Sequence, residues 1–374
     1  MKKRVLIPYA SYGSGHKTIA EYIKKYLESN GDYECMTLDL FNYSIPVIGK
    51  ISKDVGNFLL TKLPSIWSLL YFINNNRLSA YITKDIPLKI FKDKKLREDI
   101  LKFNPDITIA THFLGTDLIC KYNNKGITNS KVVTIVTDYK AHEFWLKNIK
   151  DIDAIIISSL EEKINLLKKG FKNKQIHTTG IPISPEMRDK LNRKELKKKY
   201  KIKNNKITVL FFAGGSNGAT YNLIYIKELL KDKYDCNILF VAGKNKKAYK
   251  KVKEYINRYK SKNIKLFGFV TTINELYEIS DFVITKPGGA QVTECLLFKK
   301  PMLLIKGNGG QEIENRLYLT KKGVAKFARN KANFNKNFKK LLEEDNLRKK
   351  ISKNISKMEK DKSMEKLFKI VEKL

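Results

Sequence analysis

The stretch Phe282-Val283-Ile284-Thr285-Lys286-Pro287-Gly288-Gly289-Ala290-Gln291-Val292-Thr293-Glu294 decides the architecture. Four residues suited to a buried strand run into Lys-Pro-Gly-Gly, which ends it, and a helical pattern follows. Thr293 and Glu294 then lie about one and a half turns into that helix. This offset can aim the Glu294 carboxylate at two neighbouring hydroxyls of a ribose, while Gly288 and Gly289 leave room for a nucleotide. Pairing of Glu294 with one of the many lysines is the alternative.

Reading outward, the same strand-turn-helix unit recurs through the chain. Strands are expected at Arg4 to Ala10, Glu34 to Leu38, Asp106 to Ala110, Val132 to Val136 and Ala154 to Ile157, with helices at Lys17 to Glu28 and Ser159 to Lys168. After Ile181-Pro182-Ile183-Ser184-Pro185 and a lysine-rich stretch, the pattern restarts. Ile207 to Phe212, Asn237 to Ala242, Ile264 to Phe269, Phe282 to Thr285 and Met302 to Ile305 are the second set of strands. Charged, periodic helices close the chain from about Phe334 to Leu374. Alternation of this kind implies α/β domains with parallel sheets. The expected organisation is a domain over 1–188, a second over 189–357, and a C-terminal helix at about 358–374 packing back on the first. Two doubly wound halves facing one another across a cleft form the simplest architecture, because such sheets bind ligands beyond the carboxyl ends of their strands.

Three more loops have the composition of oxygen-binding turns. Gly13-Ser14-Gly15-His16 follows the first strand, so its backbone can approach an anionic ligand at a helix start. It lacks the third glycine of a dinucleotide fingerprint and the Gly-Lys-Ser/Thr ending of a P-loop. His16 instead stands at the helix start, where the positive helix end favours a neutral imidazole able to accept a proton. A plain capping role for His16 stays open. Gly214, Gly215, Ser216 and Asn217 follow the strand Ile207 to Phe212, the setting of a diphosphate nest or of an ordinary tight turn. Gly309-Gly310-Gln311-Glu312 with Asn315 repeats the arrangement one unit later: amide and carboxylate groups there suit sugar hydroxyls, or simply cap a helix.

At 374 residues the chain suits two domains of about 150 to 200 residues each. Cys35, Cys120, Cys236 and Cys295 are scattered without metal or disulfide spacing and are expected to be reduced, buried thiols of a cytoplasmic protein. No secretory leader is apparent at Met1-Lys2-Lys3-Arg4. The formal net charge of +36 calls for anionic partners or solvation. No nucleic-acid signature accompanies it, so nucleic acid is excluded as the expected partner and an anionic membrane surface is preferred. Between Ile45 and Ile73, Phe58, Leu59, Leu63 and Trp67 stand among lysines, with no apolar run near the roughly 20 residues of a membrane span. This segment suits a helix lying in the headgroup plane, or one packed on the domain core.

Together these pieces resemble the bacterial diacylglycerol glucosyltransferases and plant monogalactosyldiacylglycerol synthases. The resemblance rests on Tyr12-Gly13-Ser14-Gly15-His16, Val136-Thr137-Asp138-Tyr139 with Trp145, Thr179-Gly180-Ile181-Pro182-Ile183, Ala213-Gly214-Gly215, Ile284 to Glu294, and Gly310-Gln311-Glu312 to Asn315. It implies a GT-B fold, with a UDP-sugar bound in the second domain and diacylglycerol in the first. By that carry-over Glu294 holds the ribose, Gln311 and Glu312 the sugar, Gly214 to Ser216 the diphosphate side, and Phe269 with Val270 the uracil. Either His16 or Asp138 is the base of a single inverting displacement. No cofactor and no metal are expected, the UDP-sugar being a co-substrate, and the protein is placed peripherally on the cytoplasmic face of the membrane. Where relatives carry proline before the Gln-Glu pair, this chain has Gly310. A GlcNAc transferase acting on a polyprenyl-diphosphate lipid and a nucleotide-sugar-sensing protein without turnover are the alternative readings.

Overall fold

The computed structural model describes residues 2–11, 15–44, 93–203, 205–214, 223–232, 234–307, 309–358 and 362–374. The segment Ile45 to Ile73, with Phe58, Leu59, Leu63 and Trp67, lies outside the described residues, as do Tyr12, Gly13, Ser14, Gly215, Ser216 and Asn217. The chain divides into two compact units, Met1–Pro185 together with Lys360–Leu374, and Glu186–Glu359.

The first unit is built on strands β1 (Lys3–Tyr9), β2 (Tyr33–Asp39), β3 (Ile107–Ala110), β4 (Lys131–Ile135), β5 (Ala154–Ile156) and β6 (Ile176–His177). All pair in parallel, in the order β2-β1-β3-β4-β5-β6. Parallel sheets are covered on both faces, which is why the central strands carry apolar runs: Val5, Leu6, Ile7, Val132, Val133 and Ile155 are fully buried. Connecting helices are α1 (Gly15–Asn30), α2 (Asp93–Phe103), α3 (Phe113–Asn124) and α4 (Leu160–Lys168). Helix α1 buries Ile19, Ala20, Ile23 and Leu27, a one-sided stripe at helical spacing.

The second unit repeats the plan. Its helices are α5 (Arg193–Lys199), α6 (Leu223–Asp232), α7 (Lys246–Tyr259), α8 (Ile273–Ile279), α9 (Gly289–Leu297), α10 (Gln311–Lys321), α11 (Lys331–Glu343) and α12 (Asp345–Met358). Its strands are β7 (Thr208–Phe212), β8 (Asn237–Val241), β9 (Ile264–Phe267), β10 (Phe282–Thr285), β11 (Met302–Leu304) and β12 (Ala325–Phe327), ordered β12-β11-β10-β7-β8-β9. A last helix, α13 (Ser363–Glu372), belongs to the first unit, where Phe368 meets the rings of Tyr26 and Tyr33 edge-on at 5.8 and 5.9 Å.

Every strand expected from the alternation is found. Strands β6 and β12 were not anticipated, because two or three residues at a sheet edge carry no pattern of their own. In both sheets the strand order reverses beside the first strand of the unit, between β1 and β3 and between β7 and β10. A ligand site forms at such a switch point because the two flanking loops diverge to opposite faces of the sheet. The four cysteines are free and buried.

Candidate active site

At the switch point of the first unit, the chain leaves β1 and starts α1 at Gly15, placing His16 in the opening turn. The chain leaving β3 brings Thr111 against it. His16 Nδ1 lies 2.7 Å from the Thr111 carbonyl oxygen, which can only accept, so Nδ1 carries the proton. Thr111 Oγ1 in turn donates to the His16 carbonyl at 3.2 Å, and Thr137 Oγ1, just past β4, lies 3.2 Å from the same Nδ1. Three strand ends thus hold one imidazole. With its tautomer fixed in this way, Nε2 keeps the lone pair that a base needs. Desolvation is the main cause holding the His16 pKa below 6.5, and the Thr111 bond offsets it in part. The sequence suggested the helix end as a cause; burial is one that only the fold shows.

Two further histidines, neither singled out from the sequence, complete the cluster. The His112 ring meets His16 edge-on at 4.8 Å, and His142 lies 5.8 Å from Trp145 and 5.2 Å from Phe113. Burial pushes both pKa values down, aided by the neighbouring histidines, with His142 at about 3. The Trp145 indole Nε1 is buried and has no hydrogen-bond partner among the described residues. Asp138 lies in the same segment, buried, its carbonyl accepting from Ser158 Oγ at 3.5 Å. That segment is fastened from outside the sheet: the buried Glu162 of α4 accepts from the Ala141 N–H at 3.1 Å, and Lys169 pairs with Glu143 at 2.5 Å. Below it, Asp117 accepts from Asn148 at 2.6 Å and faces Lys147 at 3.5 Å in a buried ion pair.

In the second unit, the switch point gathers the chain leaving β7 and the chain leaving β10. Gly214 takes φ 99°, a left-handed conformation open to glycine. Past β10, Gly288 precedes α9 without a side-chain cap, so the first amides of that helix, beginning with Gly289, receive none from it. Thr293 Oγ1 bonds back to the Gly289 carbonyl at 2.7 Å. Glu294 accepts from Tyr277 Oη at 3.0 Å, and the Tyr277 ring stacks on Phe298 at 5.1 Å. Burial raises the Glu294 pKa to about 7 against the pull of the Tyr277 bond. Among the described residues no lysine fills the partner role considered from sequence; Tyr277 does.

Gln311 opens α10, and the next residue, Glu312, receives Lys286 Nζ at 2.7 Å. A methyl group at Gly307 would meet that Glu312 carboxylate, which would have to shift to make room. Asn315 is fully buried and donates to the Pro287 carbonyl at 3.0 Å, tying α10 to the turn after β10. Gly309 and Gly310 have φ 87° and 55°. Proline, held near −65°, cannot adopt the Gly310 conformation, which explains how this loop differs from a proline-bearing one. Beyond β9, Phe269 is 65% exposed beneath Lys244 Nζ, 5.0 Å from its ring centre, with Val270 half-buried beside it.

Two doubly wound units, each with polar groups gathered at its own switch point, define the GT-B class of α/β proteins. Solved structures of that class superpose along nearly the whole chain. The UDP co-structure of S. aureus MnaA gives a TM-score of 0.64 at 17% identity, covering 98% of this chain and 95% of the other. MurG of Acinetobacter baumannii gives 0.62 at 14% identity, covering all of both. At such identities the likeness establishes the fold alone. Sequence families go further: residues 16–183 match the monogalactosyldiacylglycerol (MGDG) synthase model and residues 209–371 the glycosyltransferase family 28 C-terminal domain. Domain by domain, residues 16–183 belong to the MGDG synthase family and residues 209–371 to the glycosyltransferase family 28 C-terminal domain. A processive diacylglycerol beta-glucosyltransferase of Bacillus pumilus is 29% identical over 326 residues, 86% of this chain and 82% of the relative.

Proposed function

We propose that the protein transfers glucose from UDP-glucose to the free hydroxyl of diacylglycerol, inverting the anomeric carbon, and repeats the transfer on its own product. The single observation that carries this reading is the fixed His16 tautomer: Nδ1 is committed to the Thr111 carbonyl, leaving Nε2 basic. His16 Nε2 takes the acceptor proton as the acceptor oxygen attacks C1 of the sugar. The C1–O bond to the diphosphate breaks on the opposite face, and UDP departs with the electron pair, giving a β-linked product. Asp138, in the segment that also carries Thr137, is the alternative base. The Trp145 N–H, lacking a partner among the described residues, is a donor that an acceptor oxygen would satisfy.

On the donor side, Glu294 suits the two ribose hydroxyls, because a carboxylate accepts from both at once. The uncapped start of α9 and the Gly214 turn offer backbone N–H groups and a positive helix end to the diphosphate. Gln311 and Glu312 are assigned to the hexose and Phe269 with Val270 to the uracil. Donor charge is met by these groups and by Lys286, with no step given to a metal. Glucose is preferred over galactose because the relative described above is named a glucosyltransferase, although the N-terminal family takes its name from galactosyl transfer. The protein is placed on the cytoplasmic face of the membrane, bound to an anionic surface, with no nucleic-acid partner.

The test is incubation of the purified protein with diacylglycerol in anionic vesicles and, separately, UDP-glucose, UDP-galactose and UDP-GlcNAc, with products read by mass spectrometry. Hexosyl and dihexosyl diacylglycerol are expected with UDP-glucose. A His16→Ala control is expected to lose about 10²- to 10⁴-fold in turnover while keeping its UDP affinity. UDP binding with no lipid product from any donor would refute the assignment.

A further inference from the structure

Among the described residues, eight large apolar side chains are exposed, and three of them lie on the nine-residue helix α4. Leu160, Ile164 and Leu167 are 63%, 56% and 41% exposed, at spacings of four and three residues that align them along one face. Opposite them, Glu162 and Leu166 are buried against the unit. The stripe is therefore a face the fold turns outward, about 10 Å long.

Its position follows from the sheet. Helix α4 starts at the carboxyl end of β5, capped by Ser159 Oγ, which accepts from the Glu162 N–H at 3.1 Å. Leu160 thus stands at the end of the sheet where His16 and the 137–146 segment lie. Glu162 and Lys169 clamp α4 to that segment through Ala141 and Glu143. Lys168, Lys172 and Lys174, all exposed, follow the stripe at the other end of the helix.

Three side chains are too few for a protein interface, which buries about 800 Å² per partner. They match an interfacial anchor, in which a short apolar face enters the headgroup layer and flanking lysines meet anionic lipid. We propose that this face of α4 lies in the surface of an anionic bilayer and presents the histidine cluster of the first unit to its lipid acceptor. The proposal deepens the diacylglycerol reading and rests on it for the identity of that acceptor.

The test uses the full chain and vesicles of phosphatidylglycerol mixed with phosphatidylcholine, with sedimentation as the readout. Leu160→Gln/Ile164→Gln keeps the charge and the helix propensity, and is expected to weaken vesicle partitioning at least about tenfold. Leu101→Gln, an exposed leucine on α2, is expected to stay within about twofold of the parent chain. Should the double variant melt early, Leu167→Gln alone carries the test, with a loss of about threefold expected. Unchanged partitioning of the α4 variant overturns the proposal, as does an equal loss in Leu101→Gln. A parent dimer that the α4 variant breaks, with vesicle binding intact, overturns it in favour of self-association. Vesicle binding that depends on α4, without sugar transfer to diacylglycerol from any donor, upholds the surface and refutes the acceptor reading instead.

Discussion

Replacing Glu294 by glutamine isolates the electrostatic cost of the buried carboxylate proposed to hold the ribose. Burial lifts its pKa from the ordinary 4.5 to about 7, so the native state holds a proton that the unfolded chain has already lost. The sign follows from linkage: a raised native pKa gives stability that is full below pH 4.5 and is lost as pH rises through 7. Between pH 5 and pH 8 the wild-type second unit should lose about 2–3 kcal/mol on this account, and Glu294→Gln should lose none of it. Urea unfolding followed by circular dichroism at the two pH values measures the gap. Tryptophan emission is the internal control, because Trp67 and Trp145 both fall within Met1–Pro185. A ribose diol that takes the ionised carboxylate must also expel its proton. UDP binding at pH 7 should therefore release about half a proton, visible as a dependence of binding enthalpy on the ionisation enthalpy of the buffer. Glu294→Gln should abolish that release and weaken UDP about tenfold or more. A stability gap that does not widen from pH 5 to pH 8, or binding without proton release, would refute the reasoning.

Further expectations concern both units. The histidine cluster makes the first unit acid-sensitive: His142 titrates at about 3 when folded, so stability is intact above the ordinary value of 6.5 and falls as pH drops toward 3. Trp145 emission should report early loss of the first unit in that window, and a flat profile there would contradict the buried neutral imidazoles. Gly307→Ala should displace the Glu312 carboxylate from Lys286 and destabilise the second unit by about 1–3 kcal/mol in urea melts; an unperturbed melt would contradict the close approach. Transfer activity should be unchanged in EDTA, and strict loss restored by a divalent cation would overturn metal independence.

The parallel sheets were legible because their strands are uninterrupted apolar runs, as Val5 to Ile7 and Val209 to Phe211 illustrate. The place of Glu294 in a helix after Gly288 and Gly289 was legible too, since that offset is a local property of one helix. What lay beyond the sequence is what strand order creates. Thr111 stands 95 residues from His16, and only the adjacency of β1 and β3 reveals that its carbonyl fixes the imidazole. His112 and His142 carry no spacing signal; a polar residue just past a strand is suggestive only once the neighbouring strand is known. Tyr277 reaches Glu294 from a different helix, so the partner of that carboxylate could be bounded by charge but not named.

The return of α13 to the first unit has a consequence for synthesis. The second unit is continuous from Glu186 to Glu359, and every residue it needs has left the ribosome before the first unit is complete. The N-terminal sheet waits for α13, with Tyr26 and Tyr33 lacking the Phe368 ring until then. The usual order, in which the N-terminal domain folds first during translation, is reversed here for final consolidation. A chain stalled or clipped before Ser363 would thus carry a finished second unit attached to an unfinished first one.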